Sequence, residues 1–260
     1  MRVWRSPVRV WLATLFATGA VILAIKWLVF VRHQAQLTRW RSNAAGAVGE
    51  REIRIGDRPV LLYIPTSYRA ERTLALVIAC HGRNQKHDRF AQQLGLEEWA
   101  ERNGFLLAAP AGLTMDGERQ WTLQGPRDVQ FIDDLRKRLA REYTLDSRRQ
   151  YIYGFSAGGY FALVYGLKRS DGMAAFGMNS GGWIGWPATQ RRKVPAIFVH
   201  GARDSIVPIG DMDEATKMLR GTGHEIKVVR VESGGHALFA DKLQEVWNFF
   251  LAHPLPKEAS

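Results

Sequence analysis

Tyr151-Ile152-Tyr153-Gly154-Phe155-Ser156-Ala157-Gly158-Gly159-Tyr160 is the segment around which the rest of the chain is arranged. The β-branched and aromatic run Tyr151 to Phe155 reads as a buried strand. Small residues follow, and Tyr160-Phe161-Ala162-Leu163-Val164-Tyr165-Gly166-Leu167 then opens a helical pattern. Strand, Gly-x-Ser-x-Gly and helix in that order describe a nucleophile elbow. The turn requires Gly154 and Gly158, because a Cβ at either would collide with the crossing backbone. It lifts the Ser156 hydroxyl above the sheet. The N–H of Ala157, at a helix N-terminus, points to where an oxyanion would form.

Working outward, Glu52 to Ile55 and Val60 to Ile64 predict a hairpin turned at Gly56-Asp57, at a sheet edge. Leu74 to Cys80 is apolar without a break, as a parallel strand covered on both faces should be. A helix is expected over Phe90 to Glu101, a strand over Phe105 to Ala109, and a polar loop over Thr114 to Arg127. Val129 to Tyr143 places Phe131, Ile132, Leu135 and Leu139 on one helical face. Beyond the elbow, strands are expected at Met173 to Met178, Ala196 to His200 and Ile226 to Val231. Helices are expected at Asp213 to Leu219 and Leu238 to Leu251, with a loop over Asn179 to Lys193. Short strands alternating with helices make an α/β fold with a mostly parallel central sheet flanked by helices.

Chemistry in such sheets collects at the carboxyl ends of the strands. Three loops there hold Ser156, Asp204 and His236, in the chain order used by α/β-hydrolases. A serine hydroxyl attacks when a base takes its proton. Imidazole is the base that is neutral near pH 7, and a carboxylate fixes its tautomer. Asp211 and Asp213 compete with Asp204 as the acid, although both suit the cap or first turn of the following helix. The second oxyanion donor is expected just after Cys80, at the N–H of Arg83 with Gly82 giving room. The Arg83 side chain could itself attract an anionic group. His81 is read as shaping that loop, and His200 as a core histidine. Trp121, Trp183 and Trp186 stand in loops near the strand ends, where they either line an acyl pocket or pack the loops onto the core.

The 36 basic and 25 acidic residues give a net charge of +11. Residues 1–42 hold seven of the basic residues and no acid, so the remainder carries 29 against 25, a surplus of four. A nucleic-acid partner is therefore not expected. The single cysteine, Cys80, excludes an intrachain disulfide and a cysteine-based zinc site. No metal ligand set has convincing spacing. Val10 to Val31 is a 22-residue run, apolar except for Lys26, and is long enough to cross a bilayer as a hydrophobic helix. We read residues 1–31 as a membrane anchor, 32–48 as a tether and 49–260 as the catalytic domain. A signal peptide cleaved on export is the competing reading. A short basic tail held in the cytoplasm would place the domain on the periplasmic or extracellular side.

His81-Gly82 after an apolar strand, Asp128-Val129 with Phe131-Ile132, Gly154 to Gly159, His200-Gly201 with Asp204 and Val207-Pro208, and Gly234-Gly235-His236 together carry a resemblance. They resemble the polyhydroxybutyrate depolymerase/feruloyl esterase group of α/β-hydrolases, over about residues 50–252. The resemblance implies a serine esterase with Ser156 as nucleophile, Asp204 as acid, His236 as base, an acyl-enzyme intermediate and no cofactor. One cysteine and the anchor separate the chain from secreted polymer depolymerases and favour small or soluble esters. An acyltransferase, a peptidase or a non-catalytic membrane-tethered binding module on the same fold are the alternatives.

Overall fold

A computed structural model of the chain describes residues 26–28, 48–183, 185 and 191–257. Among the described residues from Val48 onward, ten strands and six α-helices follow in order. Strands β1 (Gly49–Ile55) and β2 (Arg58–Ile64) form the edge hairpin, in register from Gly49 opposite Ile64 to Ile55 opposite Arg58. Gly56 takes the turn with φ 61°. Strand β3 (Leu74–Cys80) is buried at every position, as its unbroken apolar run requires.

Helices α1 (His87–Leu94) and α2 (Leu96–Asn103) stand where one helix over 90–101 was expected. Gly95 adopts φ 60°, ψ 39°, ending α1 in the left-handed cap that glycine allows without a Cβ penalty. The apolar period continues across the break, which is why the sequence reads as one helix. Strand β4 (Leu106–Pro110) comes next. The expected polar loop then contains a small hairpin, β5 (Leu113–Met115) and β6 (Glu118–Gln120), turned at Asp116-Gly117. Helix α3 (Arg127–Glu142), strand β7 (Leu145–Phe155), helix α4 (Ala157–Lys168) and strand β8 (Ala175–Asn179) complete the middle of the fold. Strand β9 (Ala196–Gly201), helix α5 (Ile209–Gly221), strand β10 (Ile226–Val231) and helix α6 (Leu243–Ala252) close it. A 3₁₀ turn at Ala240–Lys242 precedes α6, which begins later than the expected Leu238.

Eight strands form one sheet in the order β1-β2-β4-β3-β7-β8-β9-β10. Strand β2 is antiparallel to both neighbours, and all pairs from β4 onward are parallel. Side-chain alternation sorts the core into two layers. Leu76, Ile78 and Cys80 face α3, α4 and α5, which contribute Ile132 and Leu135, Phe161 and Leu163, and Met212 and Leu219. Ala75, Val77 and Ala79 face α1, α2 and α6 through Phe90, Trp99, Trp247 and Phe250. Cys80 is fully buried in the first layer, and desolvation holds its thiol well above the usual cysteine range.

The anchor and tether expected over 1–48 lie outside the described residues, apart from Lys26 to Leu28, which are helical and exposed, and Val48. Among the described residues no helix is long and apolar enough to cross a membrane.

Candidate active site

Strand β7 runs straight into the elbow. Ser156 has φ 52°, ψ −120°, a backbone conformation that a non-glycine residue holds only when its surroundings enforce it. Both flanking glycines are enforced too. A Cβ on Gly154 would lie 2.0 Å from the Gly158 carbonyl oxygen, and one on Gly158 would lie 2.1 Å from that of Cys80. The Ser156 N–H donates to the Asn179 carbonyl at the end of β8 (2.9 Å), which fixes the turn to the neighbouring strand.

The structure brings Ser156, Asp204 and His236 together. His236 Nδ1 lies 2.8 Å from Asp204 Oδ2, and Nε2 lies 3.1 Å from Ser156 Oγ. With Nδ1–H donating a hydrogen bond to the carboxylate, Nε2 is left to accept the serine proton. The loop holding His236 reaches this position because Gly201 has no side chain: a Cβ there would lie 2.4 Å from the carbonyls of Gly234 and Gly235.

The Asp204 side chain is completely buried. Burial alone would raise its pKa, but the Val207 N–H, the His236 ring and the Ile206 N–H together hold it below the ordinary carboxylate range. Both amides donate to Oδ1 at 2.9 Å, leaving Oδ2 for His236. The competing carboxylates are occupied elsewhere. Asp211 accepts from the Tyr160 hydroxyl (3.5 Å), and Asp213 pairs with Arg230. His200 donates from Nε2 to the Val207 carbonyl (2.9 Å) and lies 3.5 Å from Asp204 Oδ2.

The loop after β3 distinguishes the two residues expected there. The Gly82 N–H is taken by Gln85 Oε1 at 2.7 Å. The Arg83 N–H finds no acceptor among the described residues. The Arg83 side chain is not left for an anionic ligand: it pairs with the Glu118 carboxylate on β6. His81 accepts the Gly112 N–H at Nε2 (2.8 Å) and donates from Nδ1 to the Gly82 carbonyl (2.6 Å). Its burial pushes its pKa down to about 4, so it is neutral near pH 7.

Trp121 is 4 % exposed, stacks on Phe161 and donates its indole N–H to the His81 carbonyl (2.9 Å). Trp183 is half-buried against the first core layer, and its N–H donates to the Asp211 carbonyl (3.2 Å). Trp186 lies outside the described residues.

Two groups that the sequence left without a role are brought into the site's framework. The buried pair Arg58–Asp128 (2.5 Å) holds the loop that carries Trp121. Asp128 accepts both the N–H and the hydroxyl of Thr122 at 2.6 Å, and Arg58 Nε donates to the Ala111 carbonyl (2.9 Å). Asn179, fully buried, donates from Nδ2 to the Ala237 carbonyl (2.9 Å) and accepts at Oδ1 from Tyr153 (3.2 Å) and the Phe239 N–H (3.3 Å). For Asp128 the family-like Asp-Val…Phe-Ile spacing was a signal. Asn179 had none.

The Esterase family model matches residues 55–190, more than half of the chain. The chain belongs to the Esterase family. A second model, Phospholipase/Carboxylesterase, matches residues 129–253 of this esterase. It is 24% identical over 223 residues to a bifunctional acetylxylan esterase/xylanase of Neocallimastix patriciarum, covering 74% of this chain and 33% of that one. It is 25% identical to feruloyl esterase C of Emericella nidulans (60% and 58% covered) and 28% identical to a poly(3-hydroxyoctanoate) depolymerase of Pseudomonas fluorescens (49% and 49%). The chain thus spans less than two thirds of each of these relatives. Among solved structures, a thermostable esterase superposes with a TM-score of 0.65 at 19% identity, covering 79% of this chain and 62% of that one, a likeness of fold. Membership of this family is in keeping with the depolymerase/feruloyl esterase resemblance.

Proposed function

We propose that this esterase is a serine carboxylesterase working through an acyl-enzyme, with Ser156 as nucleophile, His236 as general base and acid, and Asp204 as the orienting carboxylate. The observation that carries this reading is the unbroken chain Ser156 Oγ, His236 Nε2, His236 Nδ1, Asp204 Oδ2, at 3.1 and 2.8 Å. His236 takes the proton of Ser156 as Oγ adds to the ester carbonyl. The same proton then passes to the departing alcohol. Water repeats the sequence on the acyl-enzyme and releases the acid, with His236 again as base. Asp204, ionised and saturated by its amides, stabilises the transient imidazolium.

The free N–H groups of Arg83 and Ala157 suit the two oxyanion donors. Gly82 contributes by leaving room, since a Cβ there would lie 2.9 Å from the Phe155 ring. The relatives' names mention acetyl, feruloyl and hydroxyoctanoyl esters, which supports a carboxylic ester substrate without selecting the acyl group. Small or soluble esters are the substrates we favour, with Trp183 as one wall of the acyl site. The apolar run at 10–31 supports attachment to a membrane with the domain on the periplasmic or extracellular side. Fluorophosphonate labelling of the full chain tests the core of this reading. Wild type should label and Ser156→Ala should not; equal labelling of the two would remove Ser156 as nucleophile.

A further inference from the structure

The four surplus positive charges of residues 43–260 are not spread evenly. A cavity of about 700 Å³ opens where β7, β8 and β9 begin, lined by Arg136, Arg148, Arg192 and Lys257 with a single carboxylate, Asp171. A second cavity of about 320 Å³ shares Arg136 and Asp171 with it and adds Lys168, Arg169 and Arg191. Seven cations and one acid therefore surround two adjoining hollows at one end of the central strands.

Ion pairing does not neutralise the larger hollow. The guanidinium of Arg136 donates to Gln150 Oε1 (2.8 Å), the Tyr165 hydroxyl (3.3 Å) and the Gly172 carbonyl (2.8 Å). Arg192 donates to the carbonyls of Ser170 (3.0 Å), Lys193 (3.1 Å), Met173 and Ala174 (3.2 Å). Arg148 Nε donates to the Leu255 carbonyl (2.6 Å). All these acceptors are neutral. They fix the orientation of three guanidiniums, none of which forms an ion pair among the described residues, although Asp133 acts on Arg136 and Asp171 on Arg192 at longer range. Asp171 is turned to Arg191 at 3.5 Å, and Arg169 is matched by Asp133. Preoriented guanidiniums around a hollow are the arrangement that recognises phosphate oxygens.

The cavity is far from the candidate active site. Gln150 lines it and Ser156 follows the other end of β7, six residues and roughly 20 Å away. Strand β1 is antiparallel to β2, which is antiparallel to β4, so β1 runs with the parallel strands. Gly49 therefore enters the sheet at the same end of the strands as the basic cavity, four strands across from β7.

We propose that this basic cavity is a binding site for phosphate-bearing ligands, distinct from the esterase site. The ligand is either a phospholipid headgroup at a bilayer surface or a soluble phosphate. The site does not depend on the roles given to Ser156, His236 and Asp204.

The test uses the full chain and the variant Arg148→Gln/Arg191→Gln/Lys257→Gln, which spares the guanidiniums most involved in holding strand ends. A control, Lys86→Gln/Arg89→Gln/Lys217→Gln, removes the same charge from exposed positions elsewhere. In the lipid arm, partitioning is compared on phosphatidylcholine vesicles with and without phosphatidylglycerol; the neutral vesicles measure any contribution of the apolar N-terminal run. In the soluble arm, the unfolding temperature in detergent is followed with inorganic pyrophosphate against chloride at equal ionic strength. A preference for anionic vesicles that falls on the order of 100-fold in the variant, at roughly fivefold per cation, and much less in the control, assigns a lipid headgroup. A pyrophosphate stabilisation lost in the variant alone assigns a soluble phosphate. A variant that matches wild type in both arms, or a control that loses as much as the variant, overturns the proposal.

Discussion

Asn179 and Ser156 are joined at the point where the chemistry is set up: the Asn179 carbonyl accepts the Ser156 N–H at 2.9 Å. The side chain of the same residue holds Ala237 and Phe239, on either side of the loop that follows His236. One buried amide thus couples the elbow to the base loop, and a second Nδ2–H bond to the Ser180 hydroxyl (3.0 Å) brings all its polar capacity into use. Asn179→Ala would leave the Phe239 N–H and the Tyr153 hydroxyl without their partner and the Ala237 carbonyl with only the longer Ser180 hydroxyl bond (3.5 Å), and should lower stability by about 2–4 kcal/mol. Because the backbone bond to Ser156 survives, the kinetic loss should fall on kcat, with KM little changed. Denaturant unfolding beside steady-state kinetics would measure both, and a rise in KM alone would count against a positioning role.

Asp204→Asn should lower kcat by roughly 10⁴-fold, because an amide can present the wrong group to His236 Nδ1 and favour the wrong tautomer. Asp211→Asn should stay close to wild type, since that carboxylate meets only the Tyr160 hydroxyl among the side chains described. Parallel kinetics of the two variants distinguish the acids, and the opposite result would move the assignment to Asp211.

Trp121→Phe removes the donor to the buried His81 carbonyl while keeping most of the ring packing on Phe161. The expected effect is about 1–2 kcal/mol of stability and a kcat reduced by a similar factor for every ester in a chain-length series. A variant that changes chain-length preference instead would place Trp121 in the acyl pocket.

Acid should weaken the fold in two stages. Below about pH 6.5 the unfolded chain takes up a proton at His81, but the folded chain resists until about pH 4. Stability is therefore complete above 6.5 and declines across that interval, by about 3 kcal/mol from this residue. Asp204, whose folded pKa is depressed, contributes stability that is present above about 3.9 and is lost as pH falls through its lower folded value. Unfolding of wild type and His81→Gln at pH 7 and 4.5 checks the first stage, with a smaller acid loss expected in the variant.

The parts of the site that were legible in the sequence are those where local chemistry leaves few options. Gly154, Gly158 and Gly201 each stand where another backbone segment leaves no room for a Cβ, and an unbroken apolar strand such as β3 has one place to go in an α/β sheet. The division between α1 and α2 was missed because the hydrophobic spacing persists through Gly95, so conformation rather than period breaks the helix. The β5–β6 hairpin had its Asp116-Gly117 turn in plain view, but three-residue arms give almost no alternation to read. Arg58 and Asp128 are 70 residues apart, and pairing at that distance becomes visible only in three dimensions. Asn179 looked like the first residue of a loop; its importance comes from the strands beside it.

Cys80, the chain's one thiol, is sealed between β4 and β7 inside β3 and kept protonated by its surroundings. A maleimide added to the native protein would therefore find nothing to modify. Any cysteine placed on the exterior becomes a unique attachment point for a spin label or fluorophore, without first rebuilding the interior to remove a competing sulfur.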